Sequence, residues 1–183
     1  MDRRVERTRK LIVETFINLL KEKGFEKITV NDIAERADIN RGTVYLHFLD
    51  KYDILEKCID RYVEELLSHC SDSHEIRFRE DAMCKVFSYL EEHMDLYKLL
   101  LENDKYGIFR KKFSNALLGQ IDMAMTVMSK EVAMAGEIAP QFLVNGLLGV
   151  IEWWIGNNMP CSAEETTGKL LAFLKPFTDY IPS

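Results

Sequence analysis

The stretch Thr29-Val-Asn-Asp-Ile-Ala-Glu-Arg-Ala-Asp-Ile-Asn-Arg-Gly-Thr-Val-Tyr-Leu-His-Phe-Leu-Asp-Lys-Tyr-Asp-Ile-Leu55 decides the fold. Thr29 is followed three residues later by Asp32, the spacing of a capping box that opens a helix. A short helix then carries Ile33, Ala34 and Ala37. Asp38 falls where the chain must turn, and Asp tolerates the left-handed conformation that such turns use. Asn40 can cap a second short helix containing Thr43, Val44, Tyr45 and Phe48. Two short helices joined by a turn of about three or four residues can form a helix-turn-helix.

The chemistry of the stretch divides in two. Ile33, Ala34, Ala37, Ile39, Val44 and Phe48 are apolar and predict a small core with the preceding helix. The small Ala34 and Ala37 allow close helix approach. Asn40, Arg41, Thr43, Tyr45, His47 and Lys51 are left outside that core as polar or amphipathic groups. Gly42 has no side chain, so the backbone at the start of the second helix can come close to another surface. A DNA major groove, about 12 Å wide, admits such a helix.

This segment resembles the DNA-binding domain of the TetR/AcrR family of bacterial transcriptional regulators. The resemblance spans roughly residues 8–60 and is most specific in Gly42-Thr43-x-Tyr45-x-His47-Phe48-x-x-Lys51. Two positions depart from the commonest pattern: Asp38 stands where a turn glycine is usual, and Asn40 where Ser is common. The resemblance implies that Tyr45, His47 and Lys51 contact backbone phosphates, with the helix N-terminus at Lys51 adding to anion binding. Thr29 is expected both to cap its helix and to touch a phosphate. Arg41 can pair bidentately with guanine, Thr43 can set its methyl against thymine, and Asn40 can read an adenine. The plainer readings are a solvated Arg41, helix-starting Thr43 and Asn40, and Tyr45 and His47 packed on the helix that begins at Asp50. Arg3 and Arg4 either reach the minor groove or form a solubilising tail.

Charge is distributed to match. The 183-residue chain has net charge −6 overall, which argues against a general nucleic-acid binder. Residues 1–51 nevertheless hold 11 Lys and Arg against 9 Asp and Glu, whereas residues 52–183 hold 13 against 21. A basic N-terminal piece on an acidic body indicates a local polyanion site.

The remainder reads as helix after helix, with no strand alternation and no internal repeat. The first helix covers 5–23, with Val5, Ile12, Phe16, Leu19 and Leu20 on one face, and stops at Gly24. A long helix opens at Asp50 with the stripe Ile54, Leu55, Cys58, Ile59, Tyr62, Val63, Leu66, Leu67 and Cys70. Residues 71–74 form a connection. Residues 79–101 form two helices with a bend near Met94–Asp95, and Glu102–Gly107 is a loop. Further helices run from Phe109 to Val132, from about Pro140 to Ile155, and from a Ser162/Glu165 capping box to Phe177. The fold class is therefore all-α. Residues 1–52 are the helix-turn-helix DNA-binding domain and 53–183 a helical regulatory and dimerisation domain.

The resemblance implies a homodimer in which the last two helices pair across a two-fold axis, on double-stranded DNA. Leu143, Gly146, Leu147, Val150, Trp153, Leu170 and Leu174 supply small and apolar residues for that face; the plainer reading is an internal core. Trp153 and Trp154 point about 100° apart on a helix, so at most one need lie at the interface. Residues 151–160 are similar to the C-terminal region of a subgroup that includes the dihydroxyacetone-kinase operon regulator. That similarity admits either a small-molecule effector or a protein co-regulator. Met83, Phe87, Tyr97, Phe113, Met125, Met128, Phe142 and Trp153 could line a pocket, with Tyr89, His93, Gln120, Asn145 or Glu152 as polar anchors. At helical spacing such residues are more often core or surface, and the ligand-binding residues stay unassigned.

Competing classes are weaker. Cys58, His69, Cys70 and His74 match no metal-ligand spacing, so neither metal nor cofactor is expected. No Gly-rich phosphate loop, GxSxG or HExxH is present, so an enzyme is not expected. No stretch reads as about 18 uncharged apolar residues and no signal peptide is recognisable, so no membrane and a cytoplasmic location are expected. The expected function is sequence-specific transcriptional regulation, as a ligand-responsive repressor on a palindromic operator. The alternative is an activator or adaptor controlled by a partner protein.

Overall fold

The computed structural model describes residues 3–68, 77–104, 107–125 and 138–178, and among these every regular element is helical. The order is α1 (Arg3–Lys23), a 3-10 turn (Phe25–Lys27), α2 (Val30–Arg36), α3 (Arg41–His47) and α4 (Lys51–Ser68). It continues with α5 (Arg77–Glu92), α6 (Met94–Glu102), α7 (Ile108–Met125), α8 (Ile138–Gly156) and α9 (Ala163–Thr178). Residues 71–74, the 126–132 end of the expected helix and the break at Ala135-Gly136 lie outside the described residues.

Helix ends follow local chemistry. Gly24, at φ 72°, ends α1, and its N–H donates to the Leu20 carbonyl at 3.0 Å. Asp50 Oδ1 accepts from the backbone N–H groups of Tyr52 and Asp53, at 2.8 and 2.9 Å, and opens α4. Ser162 and Glu165 form the expected box, each side chain accepting from the other's backbone N–H at 3.2 Å. The break between α5 and α6 falls at His93, whose ring stacks on Tyr89 with centroids 4.2 Å apart.

Packing joins these helices into one continuous core. α1 buries Ile12, Val13, Phe16, Ile17, Leu19 and Leu20, and α4 buries Ile54, Leu55, Cys58, Ile59, Val63, Leu66 and Leu67. The stripe of α1 starts at Ile12; its first two turns stand outside the core, so Val5 is exposed rather than on the buried face as expected. α7 packs on both α4 and α8, and α5 packs on α9. The expected boundary at residue 52 falls within the first turn of α4, so this helix carries the N-terminal head and enters the body as well.

Two features differ from the sequence reading. The 3-10 turn was not foreseen; its three residues are too few to show a period. And α8, 19 residues long, is apolar enough by length and composition to cross a membrane, with Glu152 its single charged residue. It buries Val144, Leu148, Ile151, Trp154 and Ile155 in the core while leaving Ile138, Phe142 and Trp153 exposed.

Candidate nucleic-acid interface

The geometry of the head begins with α2. The Thr29 hydroxyl accepts from the Asp32 N–H at 3.2 Å, and Asp32 Oδ2 accepts from both the Thr29 N–H and hydroxyl at 2.7 Å. Lys23, at 2.8 Å, together with these Thr29 hydrogen bonds, holds the Asp32 carboxyl down at about 2. Arg36 makes a forked pair with Glu22, both N–H···O distances being 2.8 Å. Both ion pairs tie α2 to the C-terminal end of α1.

The turn uses Asp38 in the left-handed conformation, φ 52°, as the sequence predicts. The Ile39 N–H donates to the Ala34 carbonyl at 3.0 Å and the Asp38 N–H to the Glu35 carbonyl at 3.2 Å. These two bonds form a Schellman motif, which stops α2 and swings the chain into α3.

α3 begins at the Asn40 cap, whose Oδ1 accepts from the Gly42 N–H at 2.8 Å. Val44 is buried within α3 and Phe48 just beyond it, while Thr43 and His47 are half-buried at the flank. The outward residues are Arg41, Gly42, Tyr45 and Leu46. The Arg41 guanidinium lies 5.4 Å from the Tyr45 ring centroid and donates to its hydroxyl at 3.1 Å. Tyr45 is therefore held on the open face beside Arg41, rather than packed on α4. A Cβ at Gly42 would meet Asn40 Oδ1 at 3.3 Å, so glycine suits both the cap and a close approach by another molecule. The structure also exposes Leu46, which the sequence reading passed over; the signal was its place between the buried Val44 and Phe48, on the opposite side of a seven-residue helix.

Lys51 has an unforeseen role. Its ammonium donates to the carbonyls of Phe25 and Glu26, both at 3.1 Å, and sits 4.7 Å from the Phe25 ring centroid. It thereby caps the 3-10 turn from the first turn of α4. An ammonium has three donors, so one is left for a phosphate oxygen. Arg3 and Arg4 are exposed within α1 and not in an irregular tail, and Arg9 covers the Phe48 ring at 5.4 Å.

Residues 12–58 match the family described as bacterial regulatory proteins of the tetR family, and residues 79–176 match its transcriptional regulator C-terminal region. The chain belongs to the TetR family of transcriptional regulators. It is 23% identical over 168 residues to the uncharacterised regulator YxbF of Bacillus subtilis, covering 87% of this chain and 42% of that one. It is 27% identical over 130 residues to IcaR of Staphylococcus aureus, a negative regulator of the biofilm operon icaADBC, covering 67% and 66% respectively. The chain thus spans less than two thirds of the length of these relatives. A TetR regulator from Streptococcus agalactiae shares its fold, with TM-score 0.75 and 23% identity over 94% of this chain and 96% of that one.

In this TetR-family chain the residues expected at a dimer face divide. Gly146 and Trp153 are exposed; Leu143 and Leu174 are half-buried; Leu147, Val150 and Leu170 are partly buried against the core. Ile138, Phe142, Gly146, Gly149 and Trp153 recur at helical spacing and present one apolar face of α8, and Phe173 is exposed on α9. The two tryptophans separate as their angle requires: Trp153 is 53% exposed, whereas Trp154 is buried and donates to the Cys161 carbonyl at 2.8 Å.

Phe87, Tyr97 and Phe113 are core, while the side chains of Gln120 and Met125, and Met128 entirely, lie outside the described residues. Glu152 pairs with Arg110 across an open cleft of about 370 Å³ between α6, α7 and α8. Burial pushes the Cys58 thiol up to about 12, away from the thiolate a metal would need; His69, Cys70 and His74 lie outside the described residues.

Proposed function

We propose that the chain is a cytoplasmic, ligand-responsive repressor that acts as a homodimer on a palindromic operator. The observation that carries this reading is the outward face of α3, where Arg41 and Tyr45 are held together and Gly42 leaves the backbone open. Arg41, Thr43 and Asn40 read bases, while Thr29, Tyr45, His47 and Lys51 take phosphates, which fixes register before sequence is read. Residues 1–52 form the reading head and 53–183 the regulatory body. The apolar face of α8, with Gly146 and Trp153, joins two copies with α9. A C2 contact of this kind sets two heads apart by a fixed distance, which is why a palindrome is the expected target.

The effector is a small molecule in the body, and the open cleft beside Arg110 and Glu152 is its entry. The likeness of residues 151–160 to the dihydroxyacetone-kinase operon regulator's subgroup keeps a protein co-regulator as the second form of the signal, with the chain then an activator or adaptor.

The test is selection of bound duplexes from a random pool, re-measured at two salt concentrations. Enrichment of a palindrome with half-sites one or more helical turns apart is expected. Weak, salt-sensitive binding without enrichment would overturn the repressor reading in favour of the adaptor.

A further inference from the structure

Leu46 is 83% exposed, the most open large apolar side chain among the described residues. It sits on a helix whose remaining outward positions are Arg41, Gly42 and Tyr45. At about 100° per residue these four span about 140° of α3, a single continuous face. We propose that Leu46 is a specificity-determining residue that recognises the C5-methyl group of a thymine in the major groove. The inference rests on the DNA-binding reading above and goes beyond it, because it assigns base recognition to a residue outside the expected polar set.

The chemistry leaves one class of target. A leucine side chain neither donates nor accepts a hydrogen bond, so it cannot read the donor and acceptor pattern of base edges. The thymine methyl is the one methyl group on the major-groove edges of the four bases. A phosphate gains nothing from an alkyl group. Arg41, stacked on Tyr45, provides the positive charge that brings the helix to the duplex, and the absence of a Cβ at Gly42 lets α3 sit deep enough for its neighbour to touch a base edge. Exposed leucines scattered singly need no explanation. Leu46 is different because it lies inside the candidate interface and is buried when that interface closes.

The test uses the full chain and the duplex enriched from the random pool. Each thymine of a half-site is replaced in turn by deoxyuridine, which removes the C5-methyl and nothing else. Wild type is expected to lose about fourfold in affinity at one thymine per half-site, the factor that burial of one methyl group corresponds to. Leu46→Ala is expected to bind the thymine and deoxyuridine duplexes equally, while Leu46→Met keeps the discrimination. Because Leu46 is exposed, both variants should melt at the wild-type temperature, and a drop would report misfolding. Two results would overturn the proposal: no thymine whose methyl matters to wild type, or unchanged discrimination in Leu46→Ala. In either case palindrome binding would remain intact, and only the role of Leu46 would fall. Failure of wild type to bind any duplex would instead remove the DNA-binding reading, and this inference with it.

Discussion

The backbone N–H of Phe25 donates to Asn103 Oδ1 at 3.3 Å, across 78 residues of sequence. Phe25 belongs to the 3-10 turn of the head, and Asn103 ends α6 in the body, where its Nδ2 also donates to the Leu99 carbonyl at 2.8 Å. The cleft-lining Leu101, Glu102 and Asp104 flank Asn103. Asn103→Ala leaves a part-buried N–H without its acceptor and should cost about 1 kcal/mol of stability. Asn103→Asp retains an acceptor and should cost less. Urea midpoints of the two variants compare them directly; equal losses would show that the Leu99 bond, and not the Phe25 bond, is what matters.

Lys112 of α7 bridges two carboxylates of α4. It lies 3.0 Å from Glu56 and donates also to Asp60. Lys112→Ala should cost about 1 kcal/mol, the upper range for partly exposed pairs, and lower Tm by roughly 2–4 °C. Lys112→Glu should be worse, and pairing it with Glu56→Lys should restore part of the loss. Because α4 carries the head, operator affinity should fall with Lys112→Glu and recover in the double variant.

Lys51 is expected to act in two ways at once. Replacing its ammonium by the neutral amide in Lys51→Gln keeps a donor for the Phe25 and Glu26 carbonyls but removes the charge. Affinity should drop on all DNA sequences and the salt slope should fall by about 1. Lys51→Ala should show the same slope together with a lower melting temperature. A slope unchanged from wild type in both variants would confine Lys51 to holding the 3-10 turn.

Asp32 makes the head sensitive to acid. Its carboxyl titrates near 2 instead of the ordinary 3.8, because Lys23 and the Thr29 groups favour the charged form. The folded state therefore binds this proton less readily than the unfolded chain. Its contribution to stability is complete above about pH 4 and is lost as pH falls toward 2. Asp32→Asn should flatten that part of the stability profile, read by circular dichroism melts between pH 2 and 5.

Trp153 tests the two-fold contact. Trp153→Arg places a charge on the apolar face of α8 and should weaken self-association by about 2 kcal/mol or more. Sedimentation velocity should then show the variant as monomer at concentrations where wild type forms the proposed dimer. Persistence of the dimer would move the contact elsewhere.

Much of the head was legible because its signals are local. The Thr29–Asp32 box, the left-handed Asp38, the Asn40 cap and the buried Val44 and Phe48 each depend on neighbours within a few residues, so spacing alone predicts them. The outward side of α3 follows from the same spacing, yet Leu46 was missed because an apolar residue is read as core unless its burial is seen. The burial of the residues expected at a dimer face is likewise not written in local spacing. Leu147, Val150 and Leu170 have the right chemistry for an interface, but the neighbouring helices of the same chain already half-cover them.

The sequence by itself determined the all-helical class, the helix-turn-helix and its family, since helix period, caps and turn residues are encoded within single turns of chain. Tertiary structure decided which groups are spent on holding the molecule together. Lys51 reaches the carbonyls of Phe25 and Glu26, Asn103 reaches the Phe25 N–H, and Lys112 reaches α4, and none of these partners is a sequence neighbour. Such contacts depend on where separate helices meet in space. That is set by the summed packing of the core, which no local pattern records.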